Sequence, residues 1–199
     1  MTTRRDFLKT MTMASAGLAF GAGDVLGARA STTQRKVTDK VKIAYIGIGN
    51  RGEQIINDFA RTGMVEVVAL CDVDMGAAHT QKVMNQYPKA KRFRDFRQMF
   101  DKAGNDFDAV AIATPYHSHF PISMLALASG KHVYVEKPLA RTFYEGELLM
   151  QAALKRPNLA TQVGNQGHSE ANYFQFKAWM DAGIIKDVTA VTAHMNNPR

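Results

Sequence analysis

From residue 41 onward, short apolar runs alternate with longer segments in which apolar residues recur with helical periodicity. The apolar runs predict six strands, at residues 41–46, 65–70, 108–113, 132–135, 159–163 and 188–194. The segments between them predict helices that begin near Arg51, Met75, Asp95, Ser118, Thr142 and Ala171. Regular alternation of strand and helix is typical of a parallel sheet with crossover helices. The chain is therefore predicted to have an α/β fold with a doubly wound parallel sheet.

The first predicted strand ends in a glycine-rich turn. Gly47, Gly49 and Gly52 have the spacing Gly-x-Gly-x-x-Gly, and an amphipathic helix follows them. In a dinucleotide site the first glycine allows a tight turn, the second lets a pyrophosphate approach the backbone, and the third lets the helix pack close to the strand. Asp72 follows Gly52 by about 20 residues, where a carboxylate can accept hydrogen bonds from adenosine ribose hydroxyls. The combination predicts a Rossmann-type dinucleotide site, whereas the glycine motif alone would also suit a structural turn.

The choice between NAD and NADP depends on side chains near this motif. Asp72 favours NAD, because a fixed carboxylate repels the 2′-phosphate of NADP. Arg51, which follows Asn50 in the glycine motif, could reach that phosphate instead, although a solvated arginine at a helix start is equally plausible. Asp74 is a competing carboxylate that lies further past the strand. We expect NAD or NADP as the cofactor, with NAD favoured.

The first thirty residues resemble a twin-arginine export signal. Arg4 and Arg5 stand near the start, a weakly apolar stretch covers residues 11–20, and Ala28-Arg29-Ala30 forms a small-residue cleavage site. The stretch is too short and too rich in Gly, Ala and Thr to form a stable membrane span. We therefore expect export by the twin-arginine (Tat) machinery to the periplasm, in a folded state; an ordinary amphipathic helix is the alternative.

Charge and cysteine content limit the kinds of site that the chain can contain. The net charge of +7 would suit nucleic acid, but the densest basic run, residues 89–97, is interrupted by Asp95 and two phenylalanines. We therefore predict no nucleic-acid interface, and no metal site. Cys71 is the one cysteine and cannot form an internal disulfide; at the end of a predicted strand it is expected to be a small buried hydrophobe.

Two further clusters follow later strands, at the edge of the sheet where such folds bind ligands. Residues 113–119 read Ala-Thr-Pro-Tyr-His-Ser-His, and residues 136–138 read Glu-Lys-Pro. With the glycine motif and the Cys-Asp-Val-Asp of residues 71–74, they resemble the Gfo/Idh/MocA oxidoreductases over nearly all of residues 41–194. The resemblance implies a nicotinamide-binding Rossmann domain and then an open-faced α/β domain that completes the substrate pocket. It also implies a homo-oligomer, since members usually pair through the second domain.

The resemblance assigns roles to individual residues. Lys137 matches the lysine that lies near the nicotinamide and the reacting carbon, where an ammonium can stabilise an alkoxide during hydride transfer. The alternative is a surface lysine in a salt bridge with Glu136. Glu136 belongs to the same cofactor-binding motif. Thr114 and Pro115 match the loop that lines the cofactor, and His119 matches the histidine that follows it.

The loop after the fifth predicted strand supplies the last candidates. Family members often contact the nicotinamide from this loop, which makes Asn165, Gln166 and His168 candidates for cofactor binding. The loop could equally cap the next helix only, with Ser169 as its N-cap. Tyr116 stands where the family commonly has an asparagine, which leaves the cofactor contact at that position open.

The expected organisation has four parts. They are a signal peptide at residues 1–30, a flexible lead-in at 31–40, the NAD(P)-binding Rossmann domain at 41–168, and at 169–199 a connecting helix with the start of a truncated substrate domain. The predicted strand at 188–194 would begin that second domain, because a lone terminal strand needs partners for its edge. We therefore expect the chain to be the N-terminal part of a longer protein.

The resemblance, together with the export signal, implies an exported oxidoreductase that transfers hydride between a sugar or polyol and a retained nicotinamide cofactor. One alternative is a glycosidase of the same superfamily, which oxidises a sugar transiently, eliminates the aglycone, adds water and reduces the product again. The other alternative is a non-catalytic N-terminal fragment, because the Asp and His proton relay usual in the family lies beyond this chain.

Overall fold

The computed structural model describes residues 40–194. The predicted signal peptide and nearly all of the predicted lead-in lie outside the described residues. Within residues 40–194, no helix combines the length and the apolar character needed to cross a membrane.

Six parallel strands form one sheet in the order β3-β2-β1-β4-β5-β6. The strands are β1 (Val41–Ile46), β2 (Val65–Cys71), β3 (Lys91–Phe93), β4 (Ala109–Ile112), β5 (His132–Val135) and β6 (Thr161–Val163). The helices are α1 (Arg51–Arg61), α2 (Ala78–Gln86), α3 (Phe96–Ala103), α4 (His119–Ala128), α5 (Phe143–Leu154) and α6 (Ala171–Asp181). The order reverses between β1 and β4, which confirms the predicted doubly wound sheet and places a crevice at their carboxyl ends.

Both faces of the central strands are buried, which explains why these strands read as continuous apolar runs rather than alternating ones. In β1, Ile43 and Tyr45 pack on one side with apolar residues of α1 and α2. Ala44 and Ile46 pack on the other side with residues of α3, α4 and α5. Two hydrophobic layers therefore hold the sheet edge and its loops in place.

Helix α2 begins at Ala78, three residues later than the predicted start near Met75. Two aspartates account for the difference. The Asp72 side chain accepts a hydrogen bond from Asp74 N at 3.0 Å, and the Asp74 side chain accepts from Gly76 N and Ala77 N, both at 3.2 Å. These side chains compete with helical hydrogen bonds and keep residues 72–77 in a loop.

The prediction of a strand at residues 188–194 is wrong, because these residues pair with no strand of the described part of the chain. Alternating apolar residues form a strand only where a neighbouring strand takes up the backbone hydrogen bonds. The short edge strand β3 was missed for a related reason. Its sequence, Lys-Arg-Phe, is mostly polar, and it becomes a strand by pairing with residues 69–71 of β2.

The N-cap of α3 offers a stability prediction. The Asp95 carboxylate accepts a hydrogen bond from Arg97 N at 2.9 Å, and the side chain of Arg97 pairs with the same carboxylate. That side-chain hydrogen bond from Arg97 lowers the pKa of Asp95 below its ordinary value of 3.8. We expect Asp95→Ala to lower the free energy of unfolding by about 1 kcal/mol at pH 7, measured by urea denaturation.

The stabilisation that the Asp95 carboxylate provides depends on pH. A carboxyl group with a depressed folded pKa stabilises the protein above its unfolded pKa and loses that effect as the pH falls through the folded pKa. The difference between Asp95→Ala and wild type should therefore shrink as the pH falls below about 4. Asp101→Ala, at an exposed position of the same helix, is the control. An equal loss in both variants, or a loss independent of pH, would contradict the cap assignment.

Candidate functional site

The candidate residues gather at the carboxyl ends of four neighbouring strands. The glycine motif follows β1, Asp72 follows β2, Thr114 follows β4, and Glu136 with Lys137 follows β5. Because the sheet order places β2, β1, β4 and β5 side by side, loops from distant parts of the sequence border one crevice.

The glycine loop packs tightly against its neighbours. Gly47 has a φ of +79°, and a Cβ at this position would lie 2.7 Å from the carbonyl carbon and oxygen of Ala113. A Cβ on Gly52 would collide with the carbonyl oxygen of Gly47. Gly47 and Gly52 thus allow the turn and the close helix approach that their spacing predicts. Any side chain there would separate α1 from the sheet.

The start of α1 suits an anionic ligand. Within residues 40–194, the backbone N–H groups of Asn50 and Arg51 have no acceptor. The positive end of the helix dipole lies at the same place, and together they favour a phosphate group. The loop therefore fits the pyrophosphate of a dinucleotide.

Asp72 fastens the glycine loop to β2. One carboxylate oxygen accepts from Ile48 N at 2.9 Å, and the other accepts from Asp74 N at 3.0 Å. Each carboxylate oxygen has further lone pairs. Asp72 can therefore hold the loop and still accept hydrogen bonds from a ribose, as its position in the sequence predicts.

Arg51 points away from Asp72, contrary to the suggestion that it could reach a 2′-phosphate. Its Nε and Nη2 atoms both lie 2.9 Å from Oε1 of Glu136, and Nη1 donates to Gln54 Oε1 at 2.9 Å. Glu136 follows β5, which is three strands from β2, or about 14 Å at ordinary strand spacing. The guanidinium is therefore held on the β5 side of the crevice, away from Asp72.

Glu136 is the buried partner of this ion pair, with 4% of its surface exposed. Its other oxygen accepts from Lys137 N at 3.3 Å. Tyr134 Oη lies 3.5 Å from Oε1. The pKa of Tyr134 is raised, mainly by burial and to a smaller extent by the charge of Glu136. The carboxylate thus joins the start of α1 to the loop after β5.

Lys137 is exposed and makes no salt bridge with Glu136, so the surface-salt-bridge alternative is not realised. Its Nζ atom has no hydrogen bond or ion pair with any residue from 40 to 194. The peptide bond between Lys137 and Pro138 is cis. Because Lys137 is exposed and its ammonium has no partner among the described residues, that group is available to a ligand.

His119 is a positioning residue in this structure. The residue is 1% exposed, with Nδ1 2.7 Å from the Pro138 carbonyl oxygen and Nε2 2.8 Å from the Thr114 carbonyl oxygen. It ties the loop after β4 to the loop after β5. Thr114 Oγ1 is buried without a hydrogen-bond partner in the described part of the chain. Buried hydroxyl groups normally have a partner, so this oxygen is free to bond a ligand. Pro115 is exposed.

The loop after β6 borders a cavity of about 630 Å³. Asn165, Gln166 and His168 line it together with Arg51 and Tyr134. These three candidates are therefore brought to the Arg51–Glu136 side of the site. The capping alternative is not realised, because Glu170 is the N-cap of α6 and no side chain caps that helix.

Sequence reasoning missed His79. The heavy atoms nearest to the place that a Cβ of Gly49 would take all belong to the His79 ring, with Nε2 2.6 Å from that place. The sequence carries no signal for this contact, since His79 lies thirty residues further on in the first turn of α2. Gly49 thus makes room for the His79 ring.

Two observations on reactive side chains concern the part of the chain that the structure describes. Burial, with a smaller effect of the charges of Asp72 and Asp95, raises the pKa of the Cys71 thiol to about 12, which makes the thiol unreactive at neutral pH. Residues 40–194 contain no group of three or more His, Cys, Asp or Glu side chains that could hold a metal ion.

Comparison with known proteins identifies relatives of this arrangement. The family model of the Gfo/Idh/MocA oxidoreductases, an oxidoreductase family with an NAD-binding Rossmann fold, matches residues 41–165. Glycosyl hydrolase family 109 protein 2 from Shewanella sp. (strain ANA-3) is 31% identical over 161 residues, covering 71% of this chain and 35% of that protein. Alpha-N-acetylgalactosaminidase from Shewanella oneidensis is 32% identical over 162 residues, with the same coverage.

A solved structure shows the same fold. Scyllo-inositol dehydrogenase from Lactobacillus casei, with bound NAD(H) and scyllo-inositol, superposes with a TM-score of 0.66 at 27% identity, covering 76% of this chain and 44% of that chain. The chain thus spans about a third of the length of the curated relatives and less than half of this structure.

Proposed function

Because the chain belongs to the Gfo/Idh/MocA oxidoreductase family, we propose that the whole protein is an NAD(P)-dependent oxidoreductase acting on a sugar or polyol. The observation that carries the proposal is the exposed ammonium of Lys137, which has no partner among residues 40–194 and follows Glu136, the residue that pairs with Arg51 at the start of α1. The carbohydrate class is supported by the scyllo-inositol bound in the similar dehydrogenase. The rest of the substrate pocket would come from a second domain.

The residues of this chain would have separate roles in such a reaction: cofactor binding, substrate binding and positioning of the loops. The nicotinamide, when bound, supplies the hydride acceptor. The N-terminus of α1 would hold the pyrophosphate, and Asp72 would accept from the adenosine ribose. Lys137 would hydrogen-bond the substrate hydroxyl and stabilise the alkoxide formed when that hydroxyl gives its proton to a base of the second domain, before hydride transfer to the nicotinamide turns the alkoxide into a carbonyl. His119 would keep the loops that carry Thr114 and Lys137 at a fixed separation.

We propose NAD rather than NADP. Asp72 would repel a 2′-phosphate, and Arg51, the cation that could have compensated, is engaged with Glu136 on the other side of β1. The proposal is tested by denaturing the purified full-length protein and identifying any released nucleotide by mass. Released NADP in place of NAD would contradict it.

Export and cofactor retention are part of the proposal. Residues 1–30 resemble a twin-arginine signal, and a periplasmic enzyme without a nicotinamide pool would need to keep its cofactor and return the hydride within each cycle. We expect near-stoichiometric nucleotide in protein purified from the periplasm without added NAD. Nucleotide-free folded protein would contradict retention. The proposed homo-oligomer is tested by light scattering on the same sample.

A glycosidase is the second candidate, because curated relatives carry the names glycosyl hydrolase family 109 protein and alpha-N-acetylgalactosaminidase. Transient oxidation by the same cofactor would then be followed by elimination, addition of water and reduction. Aryl glycosides separate the two candidates. Release of the phenol without net change in the cofactor supports the glycosidase, whereas oxidation of free sugars with no phenol release supports the oxidoreductase.

A further inference from the structure

We propose that His79 is a nucleotide-binding residue, whose ring N–H donates to the dinucleotide pyrophosphate where it passes Gly49. The inference rests on the proposed nucleotide site and adds to it a residue from outside the glycine motif.

The first support is the contact itself. The bare Cα of Gly49 faces the His79 imidazole, so closely that a Cβ would collide with the ring carbon Cδ2 and lie 2.6 Å from Nε2. In a fold of this kind the second glycine of the motif is where the pyrophosphate comes nearest to the backbone. A ring that contacts this glycine therefore borders the path of the phosphates.

The second support is the way in which His79 is held. The neighbouring Thr80 is fully buried, and its hydroxyl oxygen lies 2.7 Å from the Asp74 carbonyl oxygen and 2.8 Å from the Ala77 carbonyl oxygen, which share its one proton as acceptors. Asp72 in turn bonds both Asp74 N and Ile48 N. A continuous set of hydrogen bonds thus runs from the glycine loop to the first turn of α2 and fixes the backbone of His79 relative to Gly49.

The third support is the chemistry of the side chain. The ring is exposed on the crevice side, and within residues 40–194 its nitrogens have neither a hydrogen-bond partner nor an ion pair. An imidazole N–H is a good donor to a phosphate oxygen, and such a hydrogen bond to a charged group is stronger than one between neutral groups. Asp72 bonds the same glycine loop and would accept hydrogen bonds from the ribose hydroxyls. His79 would then donate to the adjacent phosphate oxygens.

The experiment measures the Kd of the full-length protein for NAD and for ADP-ribose, after charcoal removal of any bound nucleotide. We expect His79→Ala to weaken both ligands by about tenfold and equally, because both contain the pyrophosphate. His79→Gln, which retains an N–H donor, should recover part of the loss. His79→Phe, which retains the ring shape without a donor, should resemble His79→Ala.

Asn85→Ala, at an exposed position later in α2, is the control and should bind both ligands as wild type does. Circular dichroism melting checks that each variant is folded. Unchanged or tighter binding by His79→Ala would overturn the proposal and show that the ring only covers Gly49. Wild-type binding by His79→Phe would also overturn it. If the wild-type protein binds neither ligand, the proposed nucleotide site is contradicted. If the wild type binds both ligands and His79→Ala binds them equally well, only the proposed role of His79 is contradicted.

Discussion

Replacement of Lys137 by alanine should abolish turnover and leave nucleotide affinity nearly unchanged. Lys137 is exposed, and its Nζ atom makes no hydrogen bond or ion pair with residues 40–194, so its removal breaks no polar interaction within this part of the chain. The same removal leaves the developing alkoxide without its cation. Loss of one such group costs on the order of 10²- to 10⁴-fold in kcat.

The measurement compares kcat, KM and the Kd for NAD in full-length wild type and Lys137→Ala. Lys155→Ala, at an exposed position at the end of α5, removes the same side chain away from the crevice and should change none of the three. Lys137→Arg keeps the charge but changes the reach and geometry, so only partial activity is expected. Turnover within threefold of wild type in Lys137→Ala would remove Lys137 from the chemistry. A parallel loss of NAD affinity would make it a cofactor residue instead.

The sequence was sufficient for five of the six strands and for the helices because the relevant signals are local. The continuous apolar run of β1 requires burial on both faces, and Gly52 requires close approach of α1 to the sheet. Thr142 supplies a capping box with Glu145, which places the start of α5 within one residue of its prediction. Each of these features is decided by residues within a few positions of one another.

The sequence did not predict which side chains from distant positions meet across the sheet. Arg51 and Glu136 are separated by 85 positions, and nothing near either one indicates that they pair. Nothing near His119 in the sequence indicates that the histidine is buried between two carbonyl oxygens that belong to different loops. The place of His79 on Gly49 depends on how α2 packs beside the glycine loop. These contacts join residues that come together only when the strands assemble, so local sequence patterns do not predict them.

The Arg51–Glu136 pair is expected to be asymmetric in its contribution to stability. The Glu136 side chain is 6% exposed and the Arg51 side chain 30% exposed, so the carboxylate depends on its partner far more than the guanidinium does. We expect Arg51→Met to lower the free energy of unfolding by about 3 kcal/mol, because it leaves a buried charge unpaired. Glu136→Gln should cost only about 1 kcal/mol, because the released guanidinium can turn to water.

Urea denaturation of the full-length single variants and of the double variant measures this asymmetry. The double variant should be more stable than Arg51→Met alone, since it contains no buried charge. Arg61→Met is the control: it breaks an exposed pair with Asp58 at the other end of α1, with side chains 79% and 61% exposed, and should cost less than about 1 kcal/mol. An equal or greater loss in Glu136→Gln than in Arg51→Met would contradict the assignment of the carboxylate as the dependent partner.

The same pair should also affect catalysis, because Glu136 immediately precedes Lys137 and accepts its backbone N–H. Movement of the unpaired carboxylate in Arg51→Met would shift the loop that aims the lysine ammonium. We therefore expect Arg51→Met to lower kcat by about tenfold or more, with part of the loss restored in the double variant, since small misplacements of a catalytic group are costly. A fall in stability without any fall in kcat would limit the pair to holding α1 against the loop after β5.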